Sequence, residues 1–451
     1  MPALKQTVTI LGCGYVGLTT AAILANCGIK VYALEIDTKR LNIIKGGRSF
    51  FYEAGLDALV KQGLEQSTLI PTNVYNGSVS NSDIVFSCVG TPDNPDGSSN
   101  LSYVFDAAKK TAQHLKPGAI FVQKSTVPVG TGEKVEKIFT ASGNKLGAYV
   151  SNPEFLREGT AIADTLWPDR IVTGSKNKEA AEKVTNLYKL IESKAQALAK
   201  VAGLKMPKTK PETLSLHTSR NSAELIKVTA NAFLATKITF ANSIAKLADS
   251  ANANIDEVMN AVGADNRIGR AFLNSGRGFG GGCFPKDVSG LIRSANEYGV
   301  GMEIMEVVSE VNESMPHYII NKAEREFGSF SGKKVAVLGL AFKAGTSDTR
   351  RSPAITIADT LAQKGAKVKA YDPEAMEEAV EDGLDESVEL CSSLEKATKD
   401  TDCIFVATDW PEFKNMDTEK IAQLSGASLL VDCMNCIKRP SSKMSYIGVG
   451  L

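Results

Sequence analysis

The turn Gly12-Cys13-Gly14-Tyr15-Val16-Gly17 stands between an apolar, β-branched run over residues 7–12 and an alanine-rich helical stretch reaching about Asn26. That order confines the chain to strand, tight turn and helix, the opening of a doubly wound α/β domain. The glycines permit the turn, let phosphates approach the backbone and let the helix pack close, while the helix N-terminus faces the phosphates. A second strand over residues 30–36 ends in acidic residues, and Glu35 stands where a carboxylate takes both ribose hydroxyls of a dinucleotide. A carboxylate there repels a 2′-phosphate and predicts NAD over NADP. Arg40, able to accept a phosphate, points the other way.

Further strands are expected at residues 84–89, 120–123, 148–151 and 171–173, with helices between them. Such alternation predicts a parallel, doubly wound sheet. Gly90-Thr91-Pro92 and Ser125-Thr126-Val127-Pro128 follow two of these strands, at the carboxyl ends where such sheets bind ligands. Ordinary turn chemistry with hydroxyl caps explains both equally well. A third strand-end loop, residues 152–159, carries Glu154 and Glu158. Acids at that spacing are ordinarily a solvated helix face; in the same crevice one manages a water and the other a ribose or nicotinamide.

Residues 192–220 change character, with Ala- and Lys-rich sequence followed by Pro207 and Pro211, which predicts a helical extension and then an exposed loop. Asn221-Ser222-Ala223-Glu224 reads as a helix start with the acid three residues after the asparagine. From there to about Ala251 the pattern is helical, and thirty residues make a helix of about 45 Å, long enough to run between two domains. α-Rich sequence extends to about Phe327. A second β-α-β pattern opens at Lys334-Val335-Ala336-Val337-Leu338-Gly339, with a helix near residues 354–364 and strands at 367–371 and 402–407. The expected architecture is α/β: an N-terminal Rossmann-like doubly wound domain (residues 1–215), an α-helical middle domain with a long connecting helix (216–328) and a C-terminal Rossmann-like domain (329–451).

Composition narrows the function classes. The 451 residues suit about three domains at roughly 150 each, and 43% hydrophobic with 23% charged residues is ordinary globular composition. Fifty-one basic residues balance fifty-one acidic ones, so net charge predicts neither nucleic-acid nor membrane binding. No apolar run approaches the ~20 residues of a membrane span, and Met1-Pro2-Ala3-Leu4-Lys5 leads into a strand without a signal-peptide core. Eight cysteines, mostly in apolar strands, fit a reducing cytoplasm. The lone pair Cys433 and Cys436 lacks a second pair or a histidine cluster, which argues against zinc, and no metal is expected. The three histidines, His114, His217 and His317, lie in no motif, so acid–base chemistry falls to carboxylates, lysine or water.

The chemistry centres on Gly278-Phe279-Gly280-Gly281-Gly282-Cys283-Phe284-Pro285-Lys286-Asp287. Four glycines let backbone approach a ligand, and a thiol beside positive charge has a lowered pKa and becomes a nucleophile. A thiol facing a nicotinamide suggests oxidation through a thioester. Lys227 and Asn231, four apart, project from one helix face among Leu225, Ile226, Val228, Ala230, Phe233 and Leu234. A cation and an amide on a mostly buried face look like oxyanion stabilisers.

Taken in order, the glycine turn, residues 125–130, 152–159, 224–241, Asp265-Asn266-Arg267-Ile268-Gly269, the cysteine loop and Leu338-Gly339-Leu340-Ala341-Phe342-Lys343 resemble the UDP-glucose/GDP-mannose dehydrogenase family from Val8 to Tyr446. The resemblance implies Cys283 as covalent nucleophile, with Lys227, Asn231 and Asp287 around the reacting carbon and a water, and Thr126 and Glu154 supporting hydrolysis. It implies NAD contacts from Gly12, Gly14, Tyr15, Val16, Gly17, Glu35, Arg40, Gly90, Thr91, Thr126, Glu158, Lys286 and Arg350. The expected sugar-nucleotide contacts are Glu154, Phe155, Leu156, Arg157, Lys227, Asn231, Asn274, Gly276, Phe279, Gly280, Phe342 and Lys343. Arg267 matches an arginine supplied by a neighbouring subunit, which implies at least a homodimer, and the C-terminal domain would hold the UDP end.

Within the family, Cys283-Phe284-Pro285-Lys286-Asp287 and Pro168-Asp169-Arg170-Ile171-Val172 resemble the UDP-glucose enzymes. The implied reaction is a four-electron oxidation of UDP-glucose to UDP-glucuronate with two NAD per substrate. Rival readings are the same chemistry on UDP-N-acetylmannosamine, UDP-N-acetylglucosamine or GDP-mannose, and a non-catalytic NAD-binding sensor, which would need no nucleophile. Three departures stand out. The stretch before Asn221 is longer than usual, Arg351 replaces a more usual acid, and Asp432-Cys433-Met434-Asn435 puts Met434 where the family commonly has a substrate-contacting arginine. Lys438 or Arg439 is expected to take over that contact.

Overall fold

The computed structural model describes residues 6–209 and 212–451. The expectation for Met1 to Lys5, and that for the loop at Lys210 and Pro211, fall outside these residues. The chain forms two compact units, residues 1–229 and 230–451.

The first unit is built on β1 (Thr7–Leu11), β2 (Lys30–Leu34), β3 (Leu69–Thr72), β4 (Ile84–Ser87), β5 (Ile120–Gln123), β6 (Ala148–Ser151), β7 (Arg170–Gly174) and β8 (Leu214–Thr218). They form one sheet in the order β3-β2-β1-β4-β5-β6-β7-β8, parallel except where β6 meets β7. Both faces are covered. Ile84 and Phe86 of β4 enter one core cluster and Val85 the other, and Ile120 and Val122 of β5 divide from Phe121 in the same way. This alternation follows from side chains pointing to opposite faces along a strand, and it explains why these runs are continuously apolar.

The second unit carries β9 (Lys334–Leu338), β10 (Lys367–Tyr371), β11 (Glu389–Leu390), β12 (Cys403–Val406), β13 (Leu429–Asp432) and β14 (Ser445–Ile447) in a parallel sheet ordered β11-β10-β9-β12-β13-β14. Val335 and Val337 face one cluster, Ala336 and Leu338 the other. The fold class is the expected α/β, with two Rossmann-like sheets and with helices Ile255–Gly263, Phe284–Glu297 and Glu303–Phe327 preceding the second sheet. No helix among the described residues is long and apolar enough to cross a membrane.

Three local expectations are corrected. The helix Lys178–Val201 is followed not only by loop but by β8, whose Leu214-Ser215-Leu216-His217-Thr218 pairs in parallel with β7. Its exposed burial pattern is that of an edge strand, which gives no core-facing alternation to read. The long helix runs Arg220–Ala251, and its first turn is capped by Ser219, whose Oγ accepts the Ser222 N–H at 3.1 Å, not by Asn221. Glu224 does not close a capping box. Its carboxylate accepts the Gly130 and Gly132 N–H groups, both at 2.8 Å, at the start of helix Thr131–Ala141.

Candidate active site

In the first unit the turn after β1 works through glycine. Gly12 has φ +81°, and a Cβ on Gly17 would stand 1.9 Å from the Gly12 carbonyl oxygen, so helix Tyr15–Asn26 can begin this close to its strand only with glycine at position 17. Nothing lies within 4 Å of where a Gly14 Cβ would be, which leaves the helix N-terminus open to a pyrophosphate. Val16 packs against the core beneath. Glu35 is buried just past β2 and accepts the Cys13 N–H at 3.0 Å and the Asp37 N–H at 2.9 Å. A carboxylate has about four acceptor positions, so two remain for ribose hydroxyls. Arg40 is exposed, its guanidinium 4.8 Å over the Phe50 ring. These groups fit a dinucleotide.

Tyr15 is held by a residue the sequence reading did not find. Its hydroxyl donates to buried Glu53 and accepts the Gly159 N–H, tying the glycine turn to the 152–159 loop that carries Glu158. Burial raises the Glu53 carboxyl and, with the Glu53 charge, the Tyr15 hydroxyl. Thr91 is buried and Gly90 faces open space. Ser125 Oγ donates to the Val89 carbonyl at 2.7 Å, fixing the stretch in which Thr126 sits half-buried.

Glu154 and Lys227 form a buried ion pair at 3.0 Å, and Glu154 also accepts the Leu156 N–H at 2.5 Å. Phe155 lies under the Arg170 guanidinium (3.8 Å) and the Lys227 ammonium (5.6 Å), while exposed Arg157 pairs with Asp164 at 2.5 Å. Behind them is a second buried cation. Lys124 Nζ donates to Tyr188 Oη at 2.7 Å, and that hydroxyl donates to Asn152 Oδ1 at 2.6 Å. Burial works against the Lys124 charge, but the Tyr188 hydroxyl and the Glu154 carboxylate outweigh it and leave the ammonium above the ordinary lysine value. Burial pushes the neighbouring Cys88 thiol up to about 12, so it stays neutral.

In the second unit Cys283 is exposed and stands at the N-cap of helix Phe284–Glu297, whose Pro285 suits the first turn and whose N-terminus favours a thiolate. Asp287, one turn on, is buried; its carboxylate accepts Asn231 Nδ2 at 2.6 Å and pairs with Lys286 Nζ at 2.7 Å. The glycines before Cys283 are wedged against the segment after β9. A Cβ on Gly280 would lie 2.4 Å from the Arg351 carbonyl, one on Gly281 2.8 Å from the Phe342 ring, and one on Gly282 2.6 Å from the Arg350 guanidinium. Phe279 is buried, its backbone paired in both directions with the amide of Asn312, another residue the sequence reading missed. Gly276 N–H bonds Asn242 Oδ1 at 2.8 Å, and Asn274 accepts from Arg270 at 2.7 Å. Lys343 follows Phe342, its Nζ 5.5 Å from that ring. Arg267 extends into solvent, anchored on Asp265 at 2.5 Å, and Lys438 and Arg439 are exposed.

The apolar residues around Lys227 and Asn231 divide differently from expectation. Lys227 and Asn231 are buried, whereas Leu225 and Phe233 face solvent. Apolar residues on every side of a helix do not reveal which face is covered.

Three family models match the chain in order: the UDP-glucose/GDP-mannose dehydrogenase family NAD binding domain at residues 6–192, its central domain at 221–314 and its UDP binding domain at 336–439. UDP-glucose 6-dehydrogenase TuaD of Bacillus subtilis is 40% identical over 432 residues, 95% of this chain and 89% of that protein. The structure of a UDP-glucose dehydrogenase from the archaeon Pyrobaculum islandicum superposes with TM-score 0.89 at 34% identity, covering 100% of this chain and 99% of that one. That of a UDP-D-ManNAc dehydrogenase from Pyrococcus horikoshii gives TM-score 0.84 at 27% identity, covering 98% and 99%. With its open glycine turn and its exposed thiol on matching domains, the chain belongs to the UDP-glucose/GDP-mannose dehydrogenase family.

Proposed function

We propose that the chain is an NAD-dependent UDP-glucose 6-dehydrogenase that oxidises the C6 primary alcohol twice, to a carboxylate. The observation that carries this reading is the exposed Cys283 thiol at a helix N-terminus, next to the Asn231–Asp287–Lys286 cluster. NAD, when bound, accepts a hydride at each oxidation. The contacts of Glu35 and the open backbone at Gly14 suit its ribose and pyrophosphate, and Tyr15, Arg40, Thr91, Glu158 and Arg350 are assigned to NAD as further contacts. Cys283 thiolate adds to the C6 aldehyde, and the thiohemiacetal becomes a thioester when its hydride leaves. Lys227 and Asn231 donate to the oxyanions, where one lost donor typically costs about 2.7–4 kcal/mol. Asp287, with Thr126 and Glu154, holds the water that attacks the thioester, releasing the carboxylate and returning the thiol.

The working division is a domain over residues 1–215 for NAD, one over 216–328 for the cysteine loop and one over 329–451 for the UDP end. The protein acts as a cytoplasmic homodimer. Phe233, Phe240 and Leu247, each seven apart on one helix, are exposed, an apolar stripe suited to a two-fold partner. Exposed Arg267 then reaches the neighbour's substrate.

The test is initial-rate kinetics across UDP-glucose, UDP-N-acetylmannosamine, UDP-N-acetylglucosamine and GDP-mannose. UDP-glucose should give the highest kcat/KM by at least about tenfold, 1.4 kcal/mol in the transition state. A higher value for any other sugar nucleotide would replace the substrate.

A further inference from the structure

Arg277 is the largest fully buried side chain among the described residues, and it lies immediately before the cysteine loop in the second unit. Its hydrogen bonds all leave from one nitrogen. Nη2 donates to the Ala341 carbonyl (3.0 Å), the Phe342 carbonyl (2.9 Å) and Thr408 Oγ1 (3.2 Å). Nε and Nη1 are buried with no hydrogen-bond partner among the described residues.

A shorter neutral donor would serve three acceptors that Nη2 alone takes, so hydrogen bonding does not account for a guanidinium. No carboxylate among the described residues hydrogen-bonds it either. Those whose charge acts on it are Cys433, Asp409 and Asp372. Burial keeps the Cys433 thiol protonated, Asp409 pairs with Lys414 at 2.7 Å, and Asp372 is occupied by the Leu340 and Ala341 N–H groups and the Trp410 indole. Desolvation lowers the arginine to about 10, still cationic at neutral pH. A buried charge without a contacting counter-charge is costly, and its field reaches far in a low-dielectric interior.

The cation sits under the turn after β9, at the carboxyl end of a central strand, where doubly wound sheets bind ligands. In a trans peptide the N–H points opposite to the C=O. With the Phe342 carbonyl held by Arg277, the Lys343 N–H therefore faces away from the guanidinium, toward the other side of the turn. We propose that Arg277 is a positioning residue for the diphosphate of a nucleoside diphosphate bound at this turn: its buried charge is the counter-charge, relayed through the Phe342–Lys343 peptide. The inference rests on the UDP-sugar reading above and adds a residue to it.

Calorimetric titration of the full-length protein with UDP and with uridine tests it. R277M should bind UDP at least ~30-fold more weakly, the range for removing a buried charge partner, while uridine affinity stays within about threefold. R277K, which keeps the charge, should hold UDP within about fivefold. Should R277M fail to fold, R277Q, which keeps amide donors but no charge, takes its place with the same two outcomes. Parallel loss of UDP and uridine would mean Arg277 merely supports the turn, and unchanged UDP affinity would remove the role altogether. A wild-type protein that does not bind UDP would remove the UDP-sugar reading itself, and this inference with it.

Discussion

The turns after β1 and β9 occupy the same place in two sheets with the same order around their central strands, yet they are finished differently. After β1 the chain enters helix Tyr15–Asn26 at once, the backbone at Gly14 is open, and the acid past β2, Glu35, takes a single turn N–H, that of Cys13. After β9 no helix begins until Pro353, and the acid past β10, Asp372, takes two turn N–H groups and an indole. The turn carbonyls go to Arg277, and the remaining segment walls the cysteine loop. Shared topology therefore fixes where a ligand binds but not which one. The first turn offers a helix N-terminus to phosphates. The second offers a rigid, cation-backed wall.

The sharpest way to break this comparison is to remove the exposed thiol of the second unit, since the cysteines of the first are all buried. Cys283→Ser has neither a lowered pKa nor a histidine base, and steady-state turnover should fall by about three orders of magnitude or more. NAD and UDP-glucose affinities should remain nearly normal. Near-wild-type turnover would end the covalent mechanism. Next in size is Lys227→Ala, which strands Glu154 as an unpaired buried carboxylate. Breaking such a pair costs about 3–5 kcal/mol, so both kcat and thermal stability should fall while Cys283 remains open to alkylation. Loss of alkylation along with activity would show that the lysine acts through the thiol.

Glu224 probes the scaffold of the first unit. Desolvation raises its carboxyl to about 7 from 4.5, against the Gly132 and Gly130 N–H bonds that favour the anion. The folded state thus holds its proton more tightly than the unfolded one. Stability should decline as pH rises from about 4.5 to 7 and then level, by on the order of 3 kcal/mol. Glu224→Gln should flatten that part of the stability profile as followed by chemical denaturation, and an unchanged profile would remove the assignment.

Smaller effects sharpen the division of labour between the two turns. Glu35→Ala should shift the NAD-to-NADP preference by at least about tenfold, 1.4 kcal/mol, with KM for the UDP-sugar unmoved. A matching shift in the sugar KM would mean the first turn does not serve the dinucleotide alone. Lys438→Ala and Arg439→Ala should raise KM for UDP-glucose a few-fold, about 1 kcal/mol or less for exposed charges, and leave KM for NAD alone. No change in either variant would place the contact expected near Met434 elsewhere.

What was legible in the sequence was local. The glycine turn, β10 and the reach of helix Arg220–Ala251 follow from periodicity and turn chemistry over a few residues. β3 and β8 escaped because a proline interrupts one and solvent covers the other, so neither shows a period-two core pattern. The residues that hold the reactive ones in place escaped for another reason. Glu53 on Tyr15, Tyr188 between Lys124 and Asn152, and Asn312 on Phe279 pair across long stretches of chain. Each looks like an ordinary surface or core residue in its own neighbourhood. Glu224 was noticed but given a partner in its own helix turn, because a capping box is the nearest bond an acid at that spacing can make.

The most direct test of the account is the stoichiometry of a complete reaction: limiting UDP-glucose, excess NAD, and NADH counted by absorbance with the sugar product identified by mass. Two NADH per UDP-glucose with UDP-glucuronate as the product is the predicted result. One NADH with the aldehyde released into solution would contradict it.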